Sequence, residues 1–123
     1  MFKSLREFTL DKPVNRVKLK IRHTREGHEG TACTIVQLYG TEIVHRVNVN
    51  NVVTLNSGGY RTTSTKTAIN TALKCIYGRE VSRPYVYQSK GIWYVRIPGG
   101  VDVKYFDGLI LGGGCGAPFV VLN

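Results

Sequence analysis

The chain has 123 residues, with 17 Lys and Arg against 8 Asp and Glu, a net charge of +9 and a pI near 9.8. That length suits one domain, residues 1–123, with its own core, and an apolar content of 42% excludes a disordered polyelectrolyte. The basic excess points to a polyanionic partner, with nucleic acid ahead of an anionic membrane or an acidic protein. Cys33, Cys75 and Cys115 are odd in number, far apart and free of any CxxC, which suggests reduced thiols in a cytosol. No apolar run approaches the length needed to span a membrane. Lys3, Arg6 and Glu7 stand where a signal peptide needs its apolar core.

Taken in chain order, residues 1–13 read as an arm or helical turn greased by Phe2, Leu5, Phe8 and Leu10 and ended by Pro13. Residues 14–23 follow as a strand. Within it Val17, Leu19 and Ile21 share one face, while Arg16, Lys18, Lys20 and Arg22 share the other. The four cations stand roughly 6.6 Å apart with no carboxylate in the row, and their mutual repulsion would be relieved by phosphates. A plainer role is protection of a sheet edge against pairing with other chains. Residues 24–30 read as a loop on their two glycines. Strands are expected at 32–39, 41–49 and 52–55, the last two joined by a hairpin turn at Asn50 and Asn51.

Residues 56–64 read as a loop, and Thr63 or Ser64 as the cap of a helix over about 65–77. The stripe Ala68, Ile69, Ala72, Leu73 and Ile76 has helical spacing, and Gly78 suits the C-terminal end. A hairpin follows, with strands at 84–89 and 92–97 about a two-residue loop, Lys90 and Gly91. Its register places Arg83, Tyr85, Tyr87, Tyr94 and Arg96 on one face. Val86, Gln88, Trp93, Val95 and Ile97 fall on the other, a core face. Further strands are read at 101–105, 109–111 and 117–122, with a glycine loop at 112–116. The expected fold class is α+β: antiparallel sheets of short strands and hairpins with one main helix.

Two groups of residues suit phosphate or base recognition. Unpaired bases stack on rings such as Tyr85, Tyr87 and Tyr94, while Arg83 and Arg96 can hold phosphate beside them. Cross-strand tyrosine pairs also occur for stability alone. Before the helix, Gly58 and Gly59 permit close backbone approach, and Arg61, Thr63, Ser64 and Lys66 supply donors at a helix N-terminus, which favours anions. The P-loop spacing is absent, and an ordinary capped helix start explains the same residues. His23, His28, Cys33 and His45 match no usual zinc spacing and read as scattered surface and core residues. Cys115 between Gly114 and Gly116 reads as an inert thiol in a turn, with no base or following helix to activate it. The acids form no evident catalytic pair, so neither enzyme activity nor a cofactor is expected.

Residues 55–70 (LNSGGYRTTSTKTAIN) resemble a segment of short proteins from tailed bacteriophages, in which a strand pair precedes it and a strand like Ile92, Trp93 and Tyr94 follows. The resemblance covers roughly residues 39–97. It implies phage origin and a host cytoplasmic location, and it assigns no functional residue. The resulting expectation is a non-enzymatic phage protein that binds single-stranded nucleic acid in support of replication or transcription. Arg16, Lys18, Lys20 and Arg22 would follow the backbone while the tyrosines stack bases. One alternative is an inhibitor that binds a host polymerase, a defence protein or a nucleotide signal, with phosphate held by residues 58–66. Another is a virion component. The apolar tail, residues 117–122, should be buried on both faces, either tucked into its own core or against a partner; the second predicts a homo-oligomer, dimer or tetramer, with the tail in its interface.

Overall fold

Alternation of charge with aliphatic side chains in residues 19–22 produces the first strand of the computed structural model, which describes residues 19–26, 30–78, 82–114 and 117–123. In order the elements are β1 (Leu19–Glu26), β2 (Thr31–Leu38), β3 (Thr41–Val47), β4 (Val52–Leu55), α1 (Thr63–Tyr77), β5 (Tyr85–Ser89), β6 (Ile92–Arg96), β7 (Val103–Lys104), β8 (Leu109–Gly114) and β9 (Ala117–Val121). They form a six-stranded sheet, β1-β2-β3-β4-β8-β9, and a three-stranded sheet, β5-β6-β7. Every strand pair is antiparallel. The fold is therefore α+β, with one helix among the described residues.

One hydrophobic core joins the three parts. The six-stranded sheet contributes Val36, Leu38, Val44, Val53, Leu55, Leu109 and Leu111. The helix adds Ala68, Ile69, Ala72, Leu73 and Ile76, the stripe read from the sequence. The small sheet adds Val86, Trp93, Val95 and Ile97. Leu19 and Ile21 pack against this core, and Lys20 and Arg22 face away from it. Both sheets bury one face in this core and turn the other away from it.

The helix begins two residues earlier than its spacing suggests. Thr62, rather than Thr63 or Ser64, is the cap: its Oγ1 accepts from Thr65 N at 3.2 Å, a bond that satisfies one of the free donors of the first turn. Gly78 closes the other end, its N–H donating to Lys74 O at 2.9 Å. Midway along α1, Asn70 clamps the small sheet. Its Nδ2 donates to Val86 O at 2.8 Å, and its Oδ1 accepts from Val86 N at 2.7 Å. Backbone groups on the outer side of β5 are thus paired by a side chain in place of a fourth strand.

Other boundaries also move. β1 runs to Glu26, through the first part of the expected loop, because Thr24, Arg25 and Glu26 continue the ladder opposite Cys33, Ala32 and Thr31. β8 extends through Gly112, Gly113 and Gly114, read from the sequence as a loop. These glycines stay in the ladder with a register shift, and Gly113 has φ 88° where a Cβ would overlap the carbonyl oxygen of Pro118. Only glycine fits that strand position. Residues 101–105 yield just the two-residue β7. The tail forms β9 at the edge of the large sheet, but it is not covered on both faces: Phe119 and Val121 pack on the core, whereas Val120 and Leu122 are 46% and 53% exposed. No helix among the described residues is long and apolar enough to cross a membrane.

Candidate nucleic-acid interface

The β5–β6 hairpin adopts the register read from the sequence: Tyr85 opposite Arg96, Tyr87 opposite Tyr94, and Ser89 opposite Ile92. Lys90 and Gly91 turn it with φ of 51° and 79°, the two positive values that match strand twist. Trp93 is accordingly buried at 3% exposure, edge-on to Tyr105 with 5.4 Å between ring centroids. The opposite face presents a tyrosine platform. Tyr87 and Tyr94 stack at 5.6 Å with an interplanar angle of 24°, and Tyr85 lies 6.1 Å from Tyr87. The Arg96 guanidinium sits over the rings of Tyr85 and Tyr87, at 5.8 and 5.4 Å.

Two further groups on this face come from β7 and the turn before it, whose register the sequence did not disclose. Lys104 pairs with Tyr94 and so shares its face. Asp102 accepts from Arg96 Nε and an Arg96 terminal nitrogen, both at 3.1 Å, and from the Tyr87 hydroxyl. Hydrogen bonds from Arg96 and then Tyr87 hold the Asp102 carboxyl below its usual range. The bond to Asp102 pushes the Tyr87 phenol up and keeps Arg96 firmly protonated. Arg96 and Asp102 thus cancel in charge and fix each other, which leaves Lys104 as the net cation among these groups. The three rings are thus held in a fixed arrangement with modest net charge. Arg83 stands at its margin, one nitrogen 3.4 Å from Gly78 O.

The cationic row lies elsewhere. Arg16 and Lys18 fall outside the described residues. Lys20 and Arg22 occupy the outer face of β1, the outermost described strand of the large sheet. Arg22 is not without a counter-charge: Glu42, from β3, lies 2.9 Å away across β2. Lys20 and Arg22 are therefore on a different sheet from the tyrosine platform, each group on the face turned away from the core.

The residues read as a phosphate loop also separate. Gly58 N–H donates to Asn56 Oδ1 and Gly59 N–H to Ser57 Oγ, so both glycine donors are taken up by side chains two residues before them. Arg61 lays its guanidinium over Tyr105 at 4.6 Å and Trp93 at 5.4 Å and donates from Nε to Ser57 Oγ. Lys66 reaches Gln88, with Nζ 3.4 Å from Oε1. What remains at the helix start is a cleft of about 470 Å³, lined by Leu38, Thr41, Ile43, Ser57, Ser64 and Thr65 and flanked by Tyr39 and Tyr60, which are 78% and 66% exposed.

One cluster dismissed on spacing is assembled by the sheet. Cys33 and His45 are not scattered: with Glu26 they bring three ligand atoms within 4.8 Å of one another. His23 is on the opposite face, 3.2 Å from Thr34 Oγ1, and His28 lies outside the described residues. Burial first, then the negative charge of Glu26, pushes the Cys33 thiol up. The separations of 7 and 12 residues between these groups follow from strand register, which no motif pattern encodes.

Comparison of the chain with protein-family models, with curated proteins and with solved structures gives no match, so its family is not assigned.

Proposed function

We propose that this protein binds single-stranded nucleic acid on the outer face of β5-β6-β7, bases stacking on Tyr85, Tyr87 and Tyr94 and phosphate meeting Lys104. The observation that carries the reading is the Arg96-braced set of tyrosines, Tyr85 exposed and Tyr87 stacked on Tyr94 with both half-buried, on the face opposite the buried Trp93. Rings on a rigid sheet offer π-faces to any base, and Asp102 sets Arg96 against the rings before a ligand arrives. The net charge of +9 supplies attraction at long range. Arg22 and Lys20, on the large sheet, serve the sheet edge and add to the general field rather than tracking the same strand. The phage resemblance would place such a binder in replication or transcription.

Labelled single-stranded and double-stranded DNA of one sequence, titrated at two salt concentrations, tests this. Single strands should bind more tightly at both, because paired bases cannot reach the rings. Equal affinity for duplex would contradict it.

A second reading rests on the cleft at the start of α1. Tyr39 and Tyr60 beside a cleft of mixed apolar and Ser/Thr lining at a helix N-terminus suit a nucleotide, as an inhibitor sequestering a signal would need. In that case Tyr60→Ala would abolish mononucleotide binding and leave oligonucleotide binding intact.

A further inference from the structure

β2 is the second strand of the large sheet, yet on its outer face Cys33 is 2% exposed. Register explains the cover. Glu26 pairs with Thr31 and His45 with Ile35, the residues two before and two after Cys33 on the same face. The two side chains meet above the thiol, with His45 Nε2 3.1 Å from both Glu26 carboxylate oxygens. A thiol, an imidazole nitrogen and a carboxylate from three adjacent strands therefore converge on one point.

We propose that Glu26, Cys33 and His45 form a binding site for a divalent cation of the zinc class. The donor set selects the ion. Calcium and magnesium take oxygen donors and would not use the thiol, whereas sulfur, nitrogen and oxygen together suit Zn²⁺. Zinc bond lengths put tetrahedral ligand atoms about 3.4–3.6 Å apart. His45 and Glu26 already stand near that spacing at 3.1 Å, and no pair exceeds 4.8 Å, so about 1.2 Å at most must close. The thiol is held only by a 3.6 Å contact to Thr31 O, a weak bond that coordination would replace. On binding, the His45–Glu26 hydrogen bond gives way and the neutral imidazole carries its proton on Nδ1, which frees Nε2 to ligate; the Sγ–H bond breaks, the Sγ–metal bond forms and the thiol proton leaves to the buffer. Three protein donors leave a fourth position for water or a partner's ligand. The metal would lock β1, β2 and β3 of the large sheet, whereas the tyrosine platform is on the small one, so this site stands apart from the nucleic-acid reading.

The test is titration of the full, reduced, metal-free chain with Co²⁺, which reports thiolate ligation by a near-ultraviolet charge-transfer band. The band should saturate at one equivalent and disappear when one equivalent of Zn²⁺ is added. Cys33→Ser should abolish it, Glu26→Gln and His45→Ala should each weaken Co²⁺ binding at least about tenfold, and Cys75→Ser and Cys115→Ser should leave it unchanged. Should Cys33→Ser not fold, the two partly exposed positions, Glu26 and His45, carry the same comparison. No band in the wild-type chain, or a band whose affinity Glu26→Gln and His45→Ala leave unchanged, overturns the proposal.

Discussion

Asp107 links the loop before α1 to the turn before β8. Its Oδ1 accepts from Ser57 N, Ser57 Oγ and the Tyr105 hydroxyl, each at 2.8 Å. Burial alone would raise this carboxyl, but those bonds, with Arg61 nearby, outweigh it and hold the group below its ordinary value. A depressed carboxyl binds its proton less readily folded than unfolded. Its stabilisation is therefore complete above roughly pH 4 and lost as pH falls through the folded value. Tyr105 has the opposite sense: burial first, then Asp107, raises its phenol, so its contribution disappears only in strong alkali. Melting temperature against pH should therefore fall more steeply below about pH 4 for the wild type than for Asp107→Asn. Parallel curves would mean that Asp107 is not the linked group.

At the scale of elements, the large charge effect should follow from which sheet face a cation occupies. Lys104→Gln should shallow the slope of log affinity against log salt by about 0.7, the value for one lost contact to a single strand. Lys20→Gln should leave the slope unchanged, since β1 belongs to the other sheet; the reverse result would move the site to the cationic row. The β5–β6 hairpin was legible because Lys90 and Gly91 fix a two-residue loop, and loop length sets every pair from Tyr85 to Arg96. The helix stripe was legible because five apolar residues at helical spacing allow one orientation. β7 was legible only as a strand somewhere in 101–105; its pairing with β6 was not, since two paired residues carry no periodicity and no tight turn fixes their register, and with it went the places of Asp102 and Lys104. The glycines of β8 hid the extension of the strand read at 109–111, because the positive φ of Gly113 and Gly114 suits both a loop and a bulged ladder. Asn70 gave no signal at all, as nothing local marks a helix amide that will pair with a strand 16 residues away.

For the whole molecule, the two sheets share one core, and their exposed features diverge. β9 leaves Val120 and Leu122 in water at the edge of the large sheet. Pairing of that edge with a second copy would cover them and yield a two-fold dimer. Light scattering at micromolar concentration should give a dimer mass for the intact chain and a monomer mass for Val120→Lys. This variant spares Phe119, whose ring packs edge-on against Tyr77 at 5.1 Å. A monomeric wild type would contradict the pairing. A dimer would also raise avidity for a long strand with no new contact.

The central claim, base stacking on the tyrosine platform, is tested most directly by fluorescence anisotropy of a labelled single strand across a salt series, wild type against Tyr94→Ala. Tyr94 is half-buried against Tyr87, carries no charge and pairs with Lys104, so its loss removes a stacking surface and leaves the phosphate contact. The account predicts a loss of about 1–3 kcal/mol in binding with an unchanged salt slope. Wild-type affinity in Tyr94→Ala would contradict it.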